Sequence, residues 1–90
     1  MIIEHDIVQF RTTFWDNFSK SFFHYGFDIK NGEIELKFVD YLTPNGKSGK
    51  LWQMNEIYHS ATRNEKPEVP QEVMETVKCW YKGYILSMIQ

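Results

Sequence analysis

Asn31-Gly32 stands between two runs of alternating apolar residues, Phe27 to Lys30 and Glu33 to Phe38. A two-residue hairpin turn requires positive φ at both central positions, a conformation that asparagine and glycine tolerate best. A hairpin closed on this turn sets Lys30 opposite Glu33, Ile29 opposite Ile34 and Phe27 opposite Leu36. The two-residue period of a strand then gathers Phe27, Ile29, Ile34, Leu36 and Phe38 on one face. Lys30, Glu33, Glu35 and Lys37 point the other way.

An apolar sheet face needs a cover, and the flanking segments offer two. From Ile7 to Tyr25, Phe10, Phe14, Phe18 and Phe22 recur at four-residue intervals, with Ile7, Trp15 and Tyr25 extending the pattern. On a helix this is a ladder along one side. Asp6 suits its N-cap and Gly26 its C-terminal end. Arg11 falls within that ladder. Its stem lies along Phe14 and Trp15 with the head in solvent, or an acid such as Asp40 or Glu56 holds it inside. At the other end Pro70 suits a first helical turn, and a helix from about Gln71 carries Val73, Val77, Trp80, Tyr84 and Met88 as its main stripe, widened by Met74, Tyr81 and Ile85. Beside that stripe Thr76, Cys79, Gly83 and Ser87 form a strip of small residues. A glycine inside a helix costs about 0.5–1 kcal/mol relative to alanine, and the usual compensation is the close approach of another element.

Between hairpin and last helix, Val39 to Leu42 prolongs the strand to Pro44, and Pro44 to Gly49 is loop by composition. Lys50 to His59 reads as a third strand, with Leu42 facing Leu51, Tyr41 facing Trp52 and Val39 facing Met54. A short helix through Leu51, Met54, Tyr58 and Ala61 is the competing reading. The expected architecture is α+β in a single domain over residues 1–90: an N-terminal helix, a three-stranded antiparallel meander and a C-terminal helix, with both helices on one sheet face. The uncovered face would hold Val39, Tyr41, Trp52, Met54 and Tyr58, which is apolar for a solvated surface and marks a binding surface.

Composition narrows the function classes. Aromatic residues make up 17% of the chain, and the formal charge is −2. An ordered core is within reach, and neither a strongly basic nucleic-acid binder nor an acidic mimic is indicated. Cys79 is the single cysteine, so an intrachain disulfide is impossible and a reducing, cytoplasmic setting is expected. MIIEHD carries no basic region and no long apolar run, so neither a signal peptide nor a membrane span is expected.

No catalytic constellation stands out. His5, His24, His59 and Cys79 show no metal-ligand spacing, so no metal or cofactor is expected. They would matter as an active site only if the fold gathered His24, His59 and Cys79. Gly46-Lys47-Ser48 lacks the earlier glycine of a phosphate loop, since Tyr41 stands there, and reads as a solvated turn. Glu33 with Glu35 and Glu72 with Glu75 are surface charges. Basic residues do concentrate at Lys47, Lys50, Arg63 and Lys66, beside Tyr41, Trp52 and Tyr58.

Two functions follow as expectations. The first is a small non-enzymatic interaction protein, a regulator, inhibitor or antitoxin-like domain. It would bind a protein partner or a second copy through Val39, Tyr41, Trp52, Met54 and Tyr58, or through Cys79 and Gly83 on the last helix. The alternative is a module that stacks single-stranded nucleic acid on Tyr41, Trp52 and Tyr58, with Lys47, Lys50, Arg63 and Lys66 at the phosphates.

Overall fold

The computed structural model describes residues 7–54 and 65–89. Four strands and one helix follow in order: β1 (Val8–Asp16), β2 (Ser21–Lys30), β3 (Glu33–Leu42), β4 (Ser48–Gln53) and α1 (Gln71–Ile89). The strands form one antiparallel sheet in the order β1-β2-β3-β4, a plain meander.

The expected N-terminal helix is absent; its residues form the hairpin of β1 and β2. Four residues are two full strand periods as well as about one helical turn, so the phenylalanine spacing satisfied both repeats. β-Branched Val8, Thr12 and Thr13 and the aromatic load favour the strand. Phe10 and Phe14 do share a face, but the ladder breaks at Phe18, which sits in the loop. That loop is closed by Asp16, whose carboxylate accepts from the Ser19 backbone N–H at 2.9 Å and from its hydroxyl at 2.6 Å, and Lys20 takes a positive φ of 55°. These two hydrogen bonds, the hydroxyl's first, hold the Asp16 carboxyl below the usual carboxylate range. Gly26, expected as a helix end, lies in the middle of β2.

The Asn31-Gly32 hairpin forms with the expected register. Lys30 pairs with Glu33, Ile29 with Ile34 and Phe27 with Leu36, and Asn31 and Gly32 both take positive φ. Beyond Phe27 the simple alternation ends. A bulge sets Gly26 opposite Phe38, leaving Lys37 as the extra residue on β3. One inserted residue exchanges the two faces for everything after it. Phe38 therefore moves to the face opposite Leu36, and Val39 and Tyr41 join the side of Phe27.

The β3–β4 connection is tighter than expected. Thr43 and Lys47 close the loop through Thr43 N–H to the Lys47 carbonyl at 2.8 Å, and Gly46 takes φ 89°. Gly46 and Lys47 thus belong to a hairpin turn, and Ser48 opens β4. Leu42 pairs with Ser48 instead of Leu51, and a second bulge, which leaves Leu51 unpaired, brings Trp52 opposite Val39. The Lys37 carbonyl accepts from the Met54 N–H at 2.8 Å.

One face of the sheet carries the core. Tyr25, Phe27, Ile29, Leu36, Val39 and Trp52 are buried there together with Val73 and Val77 of α1. Each such fully buried side chain stabilises the fold by about 1.5–3 kcal/mol. Helix α1 starts after Pro70, whose carbonyl accepts from Met74 N–H at 3.1 Å. The expected stripe holds through its first half. Trp80 packs on Phe10 with ring centroids 4.6 Å apart, whereas Leu86 and Met88 are exposed. No described helix is long and apolar enough to cross a membrane.

Candidate functional site: the open face of the sheet

With α1 on the core face, the other face of the sheet lies open among the described residues, and its side chains form cross-strand rows. The pairing aligns Trp15, Phe22, Leu42 and Ser48 in one row, Thr13, His24, Asp40 and Lys50 in the next, and Arg11, Gly26, Phe38 and Gln53 in a third.

The first row is apolar at the surface. Trp15 and Phe22 meet edge to face, their ring centroids 4.8 Å apart, and both are about two-fifths exposed; Leu42 is 46% exposed. Phe18, in the β1–β2 loop at the same end of the sheet, is 97% exposed. Such a side chain contributes almost nothing to the fold and leaves its whole ring to water.

Behind it the second row is polar. Thr13 Oγ1 and His24 Nδ1 are hydrogen-bonded at 2.9 Å. A shallow depression of about 570 Å³ lies along the boundary of these two rows, lined by Thr13, Phe22, His24, Asp40, Tyr41, Leu42 and Ser48. In the third row the Phe38 ring covers Gly26, where a Cβ would clash with it. The Arg11 guanidinium stands 5.5 Å from the Phe38 ring centroid, within cation–π range, and the His24 ring, tilted by 38°, has its centroid 5.9 Å from the same ring. Arg11 is exposed and lies against the Phe38 ring, which β3 carries on the far side of β2; Glu56, one of the two acids expected to hold it, lies outside the described residues.

The expected binding residues land elsewhere. Val39 is fully buried and Trp52 is 7% exposed, so both belong to the core, because the bulge at Lys37 turned β3 over and Trp52 followed it. Tyr41 is half-buried on the core face, its hydroxyl against Gly49, and Met54 is half-buried against the core. Tyr58 and Arg63 lie outside the described residues. Lys47 sits in the β3–β4 turn, Lys50 pairs across the ladder with Asp40, and Lys66 precedes α1. Cys79 and Gly83 are exposed on α1, and nothing lies within 4 Å of a Cβ built at Gly83. The close approach expected there is absent among the described residues.

His24 and Cys79 lie on opposite sides of the sheet, and His5 and His59 are outside the described residues. Among the described residues no group of histidine, cysteine and carboxylate side chains is placed to hold a metal ion. The sequence reading missed Trp15, Phe18, Phe22 and Leu42 by assigning most of them to a buried helix. The turn-forming run Asp16-Asn17-Phe18-Ser19 was the signal that a loop, not a helix, occupies this point. Comparison of the chain with protein-family models, with curated proteins and with solved structures finds no match in any of the three.

Proposed function

We propose that this protein is a non-enzymatic interaction module that docks a protein partner on the open face of its sheet, at the end marked by Phe18. The observation that carries this reading is the contiguity of Trp15, Phe22 and Leu42 across three strands, extended by a phenylalanine that is 97% exposed. Exposed aromatic side chains in one patch are a cost to solubility unless a partner covers them, and aromatic anchors carry much of the energy in protein interfaces. The partner that suits this surface presents apolar side chains to the Trp15–Phe22–Leu42 row and polar groups to the Thr13–His24–Asp40–Lys50 row behind it. A regulatory, inhibitory or antitoxin-like role is compatible with such a module. The lone, exposed Cys79 suits a reducing compartment such as the cytoplasm.

The nucleic-acid alternative loses two of its three stacking residues, since Trp52 is in the core and Tyr41 is on the core face. The test is capture of partners from the source cell, followed by affinity measurement with the purified partner. Replacement of Trp15, Phe18 and Leu42 together by serine is expected to weaken that affinity at least about tenfold, while the circular dichroism spectrum remains that of the wild type. Unchanged affinity removes the proposal. Binding to labelled oligonucleotides that falls steeply with salt would favour the alternative.

A further inference from the structure

Among the described residues, strand β1 is an edge of the sheet along all nine of its residues. Natural edges are usually blunted by proline, by lysine or by a bulge. β1 holds no proline, no lysine and no bulge, and its only charges are Arg11 and, at its last position, Asp16; its sequence is VQFRTTFWD, and it pairs with β2 without a register shift.

The direction of its free backbone groups follows from the hairpin turn. A two-residue turn makes Lys30 and Glu33 the first hydrogen-bonded pair. Alternation along β2 then aims the backbone groups of Gly26 and His24 at β3, and those of Phe27, Tyr25 and Phe23 at β1. On β1 the partners of these three, Phe10, Thr12 and Phe14, bond inward. The N–H and C=O groups of Gln9, Arg11, Thr13 and Trp15 point out of the sheet, where no described segment pairs with them.

We infer that two copies of this chain associate by antiparallel pairing of their β1 strands about a two-fold axis at Thr12, giving one continuous eight-stranded sheet. The side chains select this register. Residues directly opposite must share a face, so the axis can pass only through a residue position. An axis at Thr12 sets Thr12 against Thr12, Phe10 against Phe14, Arg11 against Thr13, Gln9 against Trp15 and Val8 against Asp16. Each phenylalanine meets a phenylalanine beneath the helices, and no like charges oppose each other. An axis at Arg11 places two guanidinium groups face to face. An axis at Thr13 sets Phe10 against Asp16 and Phe14 against Thr12, so that neither phenylalanine meets another. The backbone admits all three axes, since outward groups meet outward groups in each, and with the axis at Thr12 the hydrogen-bonded pair nearest the axis is Arg11 with Thr13. The contact is isologous and closes on itself, so it yields a dimer and not a fibre.

Sedimentation of the full chain at high micromolar concentration is expected to give twice the chain mass of 10.8 kDa. Position 13 tests the register, since it is exposed and opposes Arg11 of the second copy. Thr13→Lys is expected to weaken the dimer at least about tenfold, and Thr13→Glu to tighten it relative to Thr13→Lys by more than that. Thr12→Cys combined with Cys79→Ser is expected to form a disulfide-linked dimer on mild oxidation, since Cα atoms in such a non-hydrogen-bonded pair stand about 4.5 Å apart, within disulfide reach. A wild-type mass of 10.8 kDa at all concentrations would overturn the inference. Equal dimer affinities for the Lys and Glu variants, or failure of the Thr12→Cys protein to cross-link, would overturn the register and with it the inference.

Discussion

The ring of Phe38 covers Gly26 across the β2–β3 ladder, in space that any side chain at position 26 would need. This pairing sits at the bulge that reverses the faces of β3, and it holds Phe38 where Arg11 and His24 pack against it. Gly26→Ala is expected to destabilise the protein by about 1–3 kcal/mol, as overpacking does. Phe38→Ala removes the obstruction, so the double variant Gly26→Ala, Phe38→Ala should be more stable than the sum of the single effects. Urea unfolding of the four proteins measures that coupling.

Trp52 and Phe18 should behave in opposite ways. Trp52→Ala empties a core position against Val39 and is expected to cost about 3–5 kcal/mol, much of the stability of a domain this size. Phe18→Ala should leave the thermal midpoint within the range of about 0.5 kcal/mol typical of neutral surface changes. Calorimetry on the two variants reads both outcomes.

Gly83 lies inside α1 with no positive φ and with open space around it. Nothing in the described structure needs a glycine there. Gly83→Ala is expected to raise stability by about 0.5–1 kcal/mol, the difference in helix propensity between the two residues. A loss of stability in the same denaturant titration would show that something packs on this strip.

Burial raises the Tyr25 phenol above its ordinary range, and the negative charge of Asp16 adds to the shift. A raised value in the folded state means that folding favours the protonated phenol. The corresponding stability is fully present below about pH 10, the ordinary tyrosine range, and is lost as pH rises through the folded value. Tyr25→Phe removes this dependence. Thermal midpoints of wild type and variant should therefore converge or cross above pH 10, with the wild type falling faster.

How far the sequence speaks for the fold depends on how local the determinant is. Asn31-Gly32 encodes its turn in two residues, and the pairing next to it follows directly. Val73, Val77, Trp80 and Tyr84 recur at intervals of four, three and four, and the interval of three keeps one face only on a helix; Val73 and Val77 are buried as expected. The four-residue spacing of Phe10, Phe14, Phe18 and Phe22 carries no such discrimination, since helix and strand accept it alike. The bulges at Lys37 and Leu51 are decided by long-range packing, Phe38 on Gly26 and Trp52 against Val39, and no short stretch of sequence reveals them. A single inserted residue was enough to exchange core and surface for Val39 and Trp52. It moved the candidate site from those residues to Trp15, Phe18, Phe22 and Leu42.

The most direct measurement is an NMR titration of the isotope-labelled protein with its purified partner. The largest shifts are expected on Trp15, Phe18, Phe22 and Leu42, with smaller ones on His24 and Asp40 in the adjoining row. Shifts confined to Cys79, Gly83 and their neighbours on the outer side of α1 would contradict it.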